Sequence, residues 1–195
     1  MFDYENKYKA LGYVAGIDEA GRGPLAGPVV CACAIMPLEE DKIIPGINDS
    51  KKLSPKKREE LFEKIVKTAI SYSIVEIDEK TIDSINILNA TKLGMKKALE
   101  TLDIVPSTVL IDAVKIDTNI PQVNIIKGDA LSYNIASASI LAKVHRDHLM
   151  LEMAKKYPNY HFEKHKGYGT KEHIDLLKKY GKCEIHRDTF IKNFV

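Results

Sequence analysis

The longest unbroken apolar stretch of the chain runs from Val29 to Met36, and its length fits a strand buried on both faces. Tyr13 to Asp18 reads as a shorter strand before it, followed by the Gly/Pro-rich turn Gly21-Arg22-Gly23-Pro24. Ser71 to Ile77 alternates, with Tyr72, Ile74 and Glu76 set against Ser73, Val75 and Ile77, and is predicted as a third strand. Thr108 to Asp112 is a fourth and Gln122 to Ile126 a fifth. Helical spacing lies between them. Ser54-Pro55 is a helix start, serine as N-cap and proline at the first helical position, and Leu61, Phe62, Ile65, Val66 and Ala69 follow at helical period. Leu88, Thr91, Met95, Ala98 and Leu102 mark a long helix. Another runs from Ser132 to about Lys156; the small residues of its first half (Ala136, Ser137, Ala138, Ser139, Ala142) let it pack closely on a sheet. A glycine-containing loop, His165 to Thr170, precedes a short helix that ends near Gly181. A hairpin-like strand pair, then strands alternating with helices, predicts an α/β fold: a mixed five-stranded sheet flanked by helices. A single domain is expected over 1–195, with a C-terminal helical extension from about residue 155.

Composition narrows this little. With 45% hydrophobic and 29% charged residues the chain is not disordered, and 195 residues suffice for a buried core. No stretch approaches the ~20 apolar residues of a membrane helix. The start, Met1-Phe2-Asp3-Tyr4-Glu5, lacks the basic-then-apolar pattern of a signal peptide. A cytoplasmic, membrane-free protein is expected. Cys31 and Cys33 share one face of a strand and Cys183 is remote; an odd count without framework spacing predicts buried thiols rather than a disulfide scaffold.

The chemistry concentrates where strands end. Asp18 and Glu19 are adjacent carboxylates at the end of an apolar strand, followed at once by Gly21-Arg22-Gly23. Placing like charges near a core is costly unless something neutralises them, and divalent Mg²⁺ or Mn²⁺ prefers carboxylate oxygens. Neighbours on a regular strand point to opposite faces, so a shared site calls for the strand to end or bulge there. The alternative is a solvated acidic pair. Gly21-Arg22-Gly23-Pro24 is a poor pyrophosphate loop, since two carboxylates precede it and Pro24 lacks an N–H. Asp112 closes the fourth strand and Asp129 follows the fifth, where it could serve as a helix N-cap. Ligands of open α/β sheets gather at strand ends. Four carboxylates converging there would suit two divalent cations and phosphodiester hydrolysis.

These segments are recognisable together. Gly16 to Pro28, Asn48-Asp49-Ser50-Lys51-Lys52-Leu53-Ser54, Lys127-Gly128-Asp129-Ala130 continued through Ile135 to Val144, and His165-Lys166-Gly167-Tyr168-Gly169-Thr170 resemble, in this order, the signatures of ribonuclease HII. The resemblance spans about residues 12 to 190. It implies a ribonuclease H-like fold and an endonuclease that cuts the RNA strand of RNA–DNA hybrids, including single ribonucleotides embedded in duplex DNA. The cut would fall on the 5′ side of the ribonucleotide and leave 3′-hydroxyl and 5′-phosphate ends. It maps the family's metal-binding carboxylates onto Asp18, Glu19, Asp112 and Asp129. Gly21, Arg22 and Gly23 would contact the ribose 2′-OH, and Tyr168 would pack on the sugar of the following deoxynucleotide. One cation would activate water and a second would stabilise the departing 3′-oxygen. There is one departure: Ala113-Val114 follow Asp112 where bacterial members often have glycine and asparagine. With about a dozen residues before the first signature, the chain is expected to lack the extra N-terminal domain of the related ribonuclease HIII.

The net charge of only +2 leaves nucleic-acid binding to local clusters. Lys51, Lys52, Lys56, Lys57 and Arg58 form one at a predicted helix start, and Lys164, Lys166 and Lys171 form another around Tyr168. Lys143 projects from the helix after Asp129 toward the same region. His145 and His148 are expected at the surface. His161 and His165 are spaced i, i+4, but Phe162 stands where a zinc protease needs glutamate. Two rival readings are a non-catalytic hybrid-binding module and a related nuclease acting on DNA. A monomer is expected; a sliding-clamp contact through Thr189 to Val195, with Phe190 and Phe194 four apart, is left open.

Overall fold

The computed structural model describes residues 1–112 and 114–195; the Ala113 departure lies outside the described residues. Five strands form one sheet: β1 (Val14–Ala20), β2 (Val29–Ile35), β3 (Ser71–Ile77), β4 (Thr108–Asp112) and β5 (Gln122–Ile125). Their order is β3-β2-β1-β4-β5. β1, β2 and β3 pair antiparallel, whereas β1, β4 and β5 run parallel. The expected mixed five-stranded sheet is present. β5 ends one residue before the predicted Ile126, which is 79% exposed.

Nine helices accompany it among the described residues: α1 (Asp3–Tyr8), α2 (Pro55–Thr68), α3 (Glu79–Ile85), α4 (Ile87–Glu100), α5 (Gly128–Leu131), α6 (Tyr133–Lys156), α7 (Phe162–His165), α8 (Lys171–Tyr180) and α9 (Asp188–Ile191). The predicted caps hold. Ser54 accepts from the Lys57 N–H at 3.2 Å with Pro55 at the first helical position, and Gly181 ends α8 with φ +76°.

Strand alternation sorts β2 between two layers. Val30, Ala32, Ala34 and Met36 pack with Leu61 and Ile65 of α2 and the small residues of α6. Cys31, Cys33 and Ile35 pack with Met95, Ala98 and Leu99 of α4. The two cysteines are buried free thiols on one face, and burial raises both pKa values. The small-residue face of α6 lets it approach β1 so closely that a side chain at Gly16 would run into the Asn134–Ile135 backbone. That closeness positions Ser139 over the strand end. Among the described residues no helix is long and apolar enough to cross a membrane.

Candidate active site

β1 and β4 pair only as far as Ile17↔Ile111, while β1 continues to Ala20 beside β2, with Asp18↔Ala32 and Glu19↔Cys31. A notch therefore opens beside the last residues of β1. The strand end or bulge that the sequence calls for at Asp18 and Glu19 does not occur there, since β1 runs on paired to Ala20. The strand is regular, and both side chains reach the notch because its β4 side is open. A cleft of roughly 330 Å³ results, lined by Asp18, Glu19, Asp112, Asp129, Gly21, Arg22, Gly23, Lys51, Lys143, Ser139 and Tyr168, among others. All but one of the site residues read from the sequence thus face one space. Lys52 faces a neighbouring depression with Asp49 and Asp129.

The carboxylates raise one another's proton affinity. Burial, then the Glu19 charge, push the pKa of Asp18 up to about 8, although the nearby Ser139 hydroxyl pulls the other way. Glu19 is raised by burial against the pull of Arg22, whose Nη1 lies 3.3 Å from its Oε1. Asp129 is raised by burial and by Asp49, which faces it. It is not the helix N-cap; Lys127, in left-handed conformation, precedes α5 and Asp129 lies in its first turn. Lys51 Nζ stands 3.9 Å from Asp129 Oδ2. Among the described residues no three of His, Cys, Asp and Glu stand close enough together to hold one ion. The donor chemistry nevertheless fits hard divalent cations: four carboxylates line one cleft, and Asp18 among them has no cationic neighbour in the described residues.

Two buried arginines shape the loop above the notch. Arg187, fully buried, donates from Nε to Gly27 O (2.9 Å), from Nη1 to Arg22 O (2.9 Å), and from Nη2 to Gly21 O and Gly27 O (2.6 Å each). Arg146 donates to the carbonyls of Pro28 (3.0 Å), Ala26 (3.0 Å) and Lys166 (2.9 Å). Among the described residues neither forms an ion pair; their charges are met by carbonyl dipoles. Burial and the Arg146 charge push the Arg187 pKa down to about 9, which leaves it charged at neutral pH. Gly21 takes φ +94°, and a side chain there would collide with Arg146. With these carbonyls drawn inward, the loop lines the cleft beside Tyr168. A methyl at Gly23 would sit 4.0 Å from Tyr168 Cε1, and the Arg146 guanidinium lies 5.8 Å from the Tyr168 ring.

Sequence reading missed both arginines, Asp49 and Ser139. Arg146 carried a signal: it falls on the stripe Ser139, Ala142, Arg146 and Met150, all buried, where an unpaired surface arginine does not belong. Ser139 reads as a packing residue, yet its hydroxyl stands near Asp18 in the cleft and meets Ser50 Oγ at 2.9 Å. Arg187 precedes a one-turn helix and offered no periodicity.

The basic clusters are less available than expected. Arg58 is spent on the carbonyls of Ser50 (2.9 Å) and Leu53 (2.7 Å), Lys57 on Glu60 (3.1 Å), and Lys164 on Glu172 (2.8 Å). Lys143 lines the cleft but pairs with Asp147 at 2.6 Å. His145 and His148 pair with Glu76 (2.7 Å) and Glu59 (2.8 Å), half-buried and exposed respectively.

Behind Tyr168, the buried rings of His165, His173 and His186 pack around Phe162. Burial lowers all three pKa values, to about 4 for His173 and for His186. An unfolded histidine takes up its proton near pH 6.5. Between pH 6.5 and 4 the unfolded chain therefore binds more protons than the folded one. The stability that the pair contributes is complete above 6.5 and drains away as pH falls toward 4, by on the order of 3 kcal/mol for each ring. Asp18 trends the opposite way in metal-free protein, so the urea midpoint is best followed from pH 7 to 4.5 in an Asp18→Asn background. A flat profile there contradicts the assignment of neutral buried histidines.

The ribonuclease HII family model matches residues 15–193. A ribonuclease HII of Caldicellulosiruptor saccharolyticus is 57% identical over 197 aligned positions, covering 100% of this chain and 95% of the relative. Ribonuclease H2 from Pyrococcus horikoshii OT3 superposes with a TM-score of 0.78 at 28% identity, covering 93% of this chain and 96% of that one. The ribonuclease HII in a complex with PCNA from Archaeoglobus fulgidus superposes equally well, with a TM-score of 0.78 at 25% identity over 93% and 96% of the two chains.

Proposed function

The chain belongs to the ribonuclease HII family, a family of metal-dependent endonucleases acting on RNA–DNA hybrids, and from that premise we propose that it nicks duplex DNA 5′ of a single embedded ribonucleotide, as well as longer hybrids. The observation that carries this reading is that Gly21–Gly23 and Tyr168 stand beside one another on a cleft also lined by four carboxylates.

Each part has a physical task. The 2′-OH is what marks RNA at a given position, and it both donates and accepts hydrogen bonds. Gly21 and Gly23 let the backbone come within bonding distance of it, with no side chain of their own in the way. Tyr168, 42% exposed, offers a ring face for a sugar without that hydroxyl. A ribose under the glycine loop with a deoxyribose against the tyrosine is an RNA-to-DNA junction. A site built to bond a hydroxyl discriminates strongly against analogues lacking it, by a factor of up to roughly 10⁴.

Asp18, Glu19, Asp112 and Asp129 would hold Mg²⁺ or Mn²⁺. Bound there, two such cations would supply Lewis-acid activation of water and stabilisation of the departing 3′-oxygen. The chain's own residues bind and orient. Ser139 fixes Asp18, Arg22 offsets the charge of Glu19, and Lys51 keeps a cation beside Asp129. Lys51, Lys52 and Lys143 are read as phosphate contacts.

The tail is read as part of the body. Ile191 is buried, and Phe190 and Phe194 pack on Leu25 and Leu177, so a clamp of the kind seen with the Archaeoglobus fulgidus protein would find few free apolar side chains there.

The test uses duplex DNA with one embedded ribonucleotide, an all-DNA control, and Mg²⁺, Mn²⁺ or chelator. A metal-dependent nick 5′ of the ribonucleotide with an intact control is expected. Cleavage of the control would favour a DNA nuclease. Binding without any nick would favour a hybrid-binding module.

A further inference from the structure

Tyr168 sits on a short loop between α7 and α8, and its backbone is held from below. His173, on α8, is fully buried and its Nδ1 lies 2.9 Å from the Tyr168 carbonyl oxygen. A carbonyl only accepts, so Nδ1 carries the proton and Nε2 is bare. His173 Nε2 lies 3.1 Å from His186 Nε2, so His186 must donate there. His186 Nδ1 is then the bare nitrogen, and it accepts the Cys183 N–H at 2.9 Å. The tautomer of each ring follows from its neighbour, giving a directional chain from Cys183 to the Tyr168 carbonyl. His165 stacks on His173, with ring centroids 4.4 Å apart and planes 14° apart, and its own Nδ1 accepts the Gly167 N–H at 3.2 Å. Phe162 closes the other side edge-on at 5.5 Å. The His173 ring has one orientation open to it.

We propose that His173 is a positioning residue for Tyr168: its bond to the tyrosine carbonyl, locked from behind by His186, sets the height and angle at which the tyrosine ring meets the sugar. This rests on reading Tyr168 as the junction contact. The reason to separate the two residues is geometric. The ring of Tyr168 is exposed on one side, and its carbonyl otherwise accepts only the Thr170 N–H of its own turn, at 2.8 Å, which alone would let the residue rock with that turn. A bond from a fully buried, stacked ring removes that freedom. Displacement of a substrate-positioning group by about 1 Å costs up to roughly a hundredfold in rate.

The measurement is the ratio of kcat/KM on a single embedded ribonucleotide to kcat/KM on a continuous RNA–DNA hybrid, at pH 8, where the histidines are neutral. Asparagine places a donor where His173 has Nδ1; glutamine places one where it has Nε2. H173Q should lower the ratio roughly tenfold or more, and H173N should keep it near the parent value. Both should melt earlier than the parent, so a merely structural role would not distinguish them. In a Y168A background H173Q should leave the ratio unchanged, since it acts through the tyrosine. His186→Leu removes the lock and leaves His173 in place; it should lower the ratio too, which keeps a test open should H173Q fail to fold. If Y168A lowers the ratio and neither H173Q nor His186→Leu does, positioning by His173 is overturned while the tyrosine reading stands. If Y168A leaves the ratio unchanged, the reading of Tyr168 falls and the positioning role falls with it.

Discussion

Replacing Asp18 with asparagine should sharply reduce cleavage and yet leave the metal-free protein more stable than its parent. Asp18 is half-buried in the cleft wall, beside Glu19 and within reach of the Asp129 charge, and desolvation and these charges push its pKa to about 8. The folded state therefore holds a proton that the unfolded chain sheds near pH 4. Stability drains as pH rises through that interval, and at neutral pH the parent pays a penalty that an amide does not. The asparagine keeps an acceptor for the Ser139 hydroxyl. In chelator at pH 7.5 the urea midpoint should rise by an amount equivalent to on the order of 2 kcal/mol. Millimolar Mg²⁺ or Mn²⁺ should raise the parent's midpoint and have much less effect on the variant's. Activity should fall by roughly a thousandfold, the upper range for loss of one preorganised electrostatic group. The trade of stability for a charged site is the expected pattern where function needs strain. A variant that melts earlier than the parent in chelator would count against the buried-charge account of this site.

The second large effect is expected at Arg187, which never touches the cleft. Arg187→Met leaves the carbonyls of Gly21, Arg22 and Gly27 without their buried donor. An orphaned buried acceptor costs about 1–3 kcal/mol, so the loss should be on the order of 4 kcal/mol. For a chain of this size that is a fall of roughly 8–16 °C in Tm. Arg187→Lys should recover little, because an ammonium cannot span carbonyls on both sides of the loop as a planar fork does. Discrimination between ribo- and deoxyribonucleotide duplexes should weaken with stability, since the same bonds orient the loop. A melting point within about 2 °C of the parent would show that the carbonyls find other donors.

What was legible in the sequence divides along physical lines. β2 was legible because both of its faces are buried and its residues form a continuous apolar run; α2, α4 and α6 because they carry helical stripes or clear caps. The carboxylates were legible because charge at the end of an apolar strand needs a reason. The short helices α1, α3, α5, α7 and α9 were not, since a helix of one or two turns shows no period. Nor were the partners that hold the site: Glu5, fully buried, caps α6 by accepting from Ser132 Oγ (2.5 Å) and the Asn134 N–H (3.0 Å), more than a hundred positions away. Neither alternative set for Asp18 and Glu19, a strand end or a bulge, falls at those two residues, since β1 runs on to Ala20. Access came from the neighbouring strand stopping early, which depends on register rather than on the residues of β1 themselves.

The bonds from Arg187 to Gly21 and Gly27 span 166 and 160 residues. During synthesis, the acidic strand ends, the sheet and α6 are all translated before this arginine exists. A ribosome-bound chain can thus assemble the hydrolytic floor while its glycine loop still lacks half of its inner bracing. On the reading proposed above, the glycine loop can take its ribose-reading shape only once the segment carrying Arg187 has followed α6 out of the tunnel.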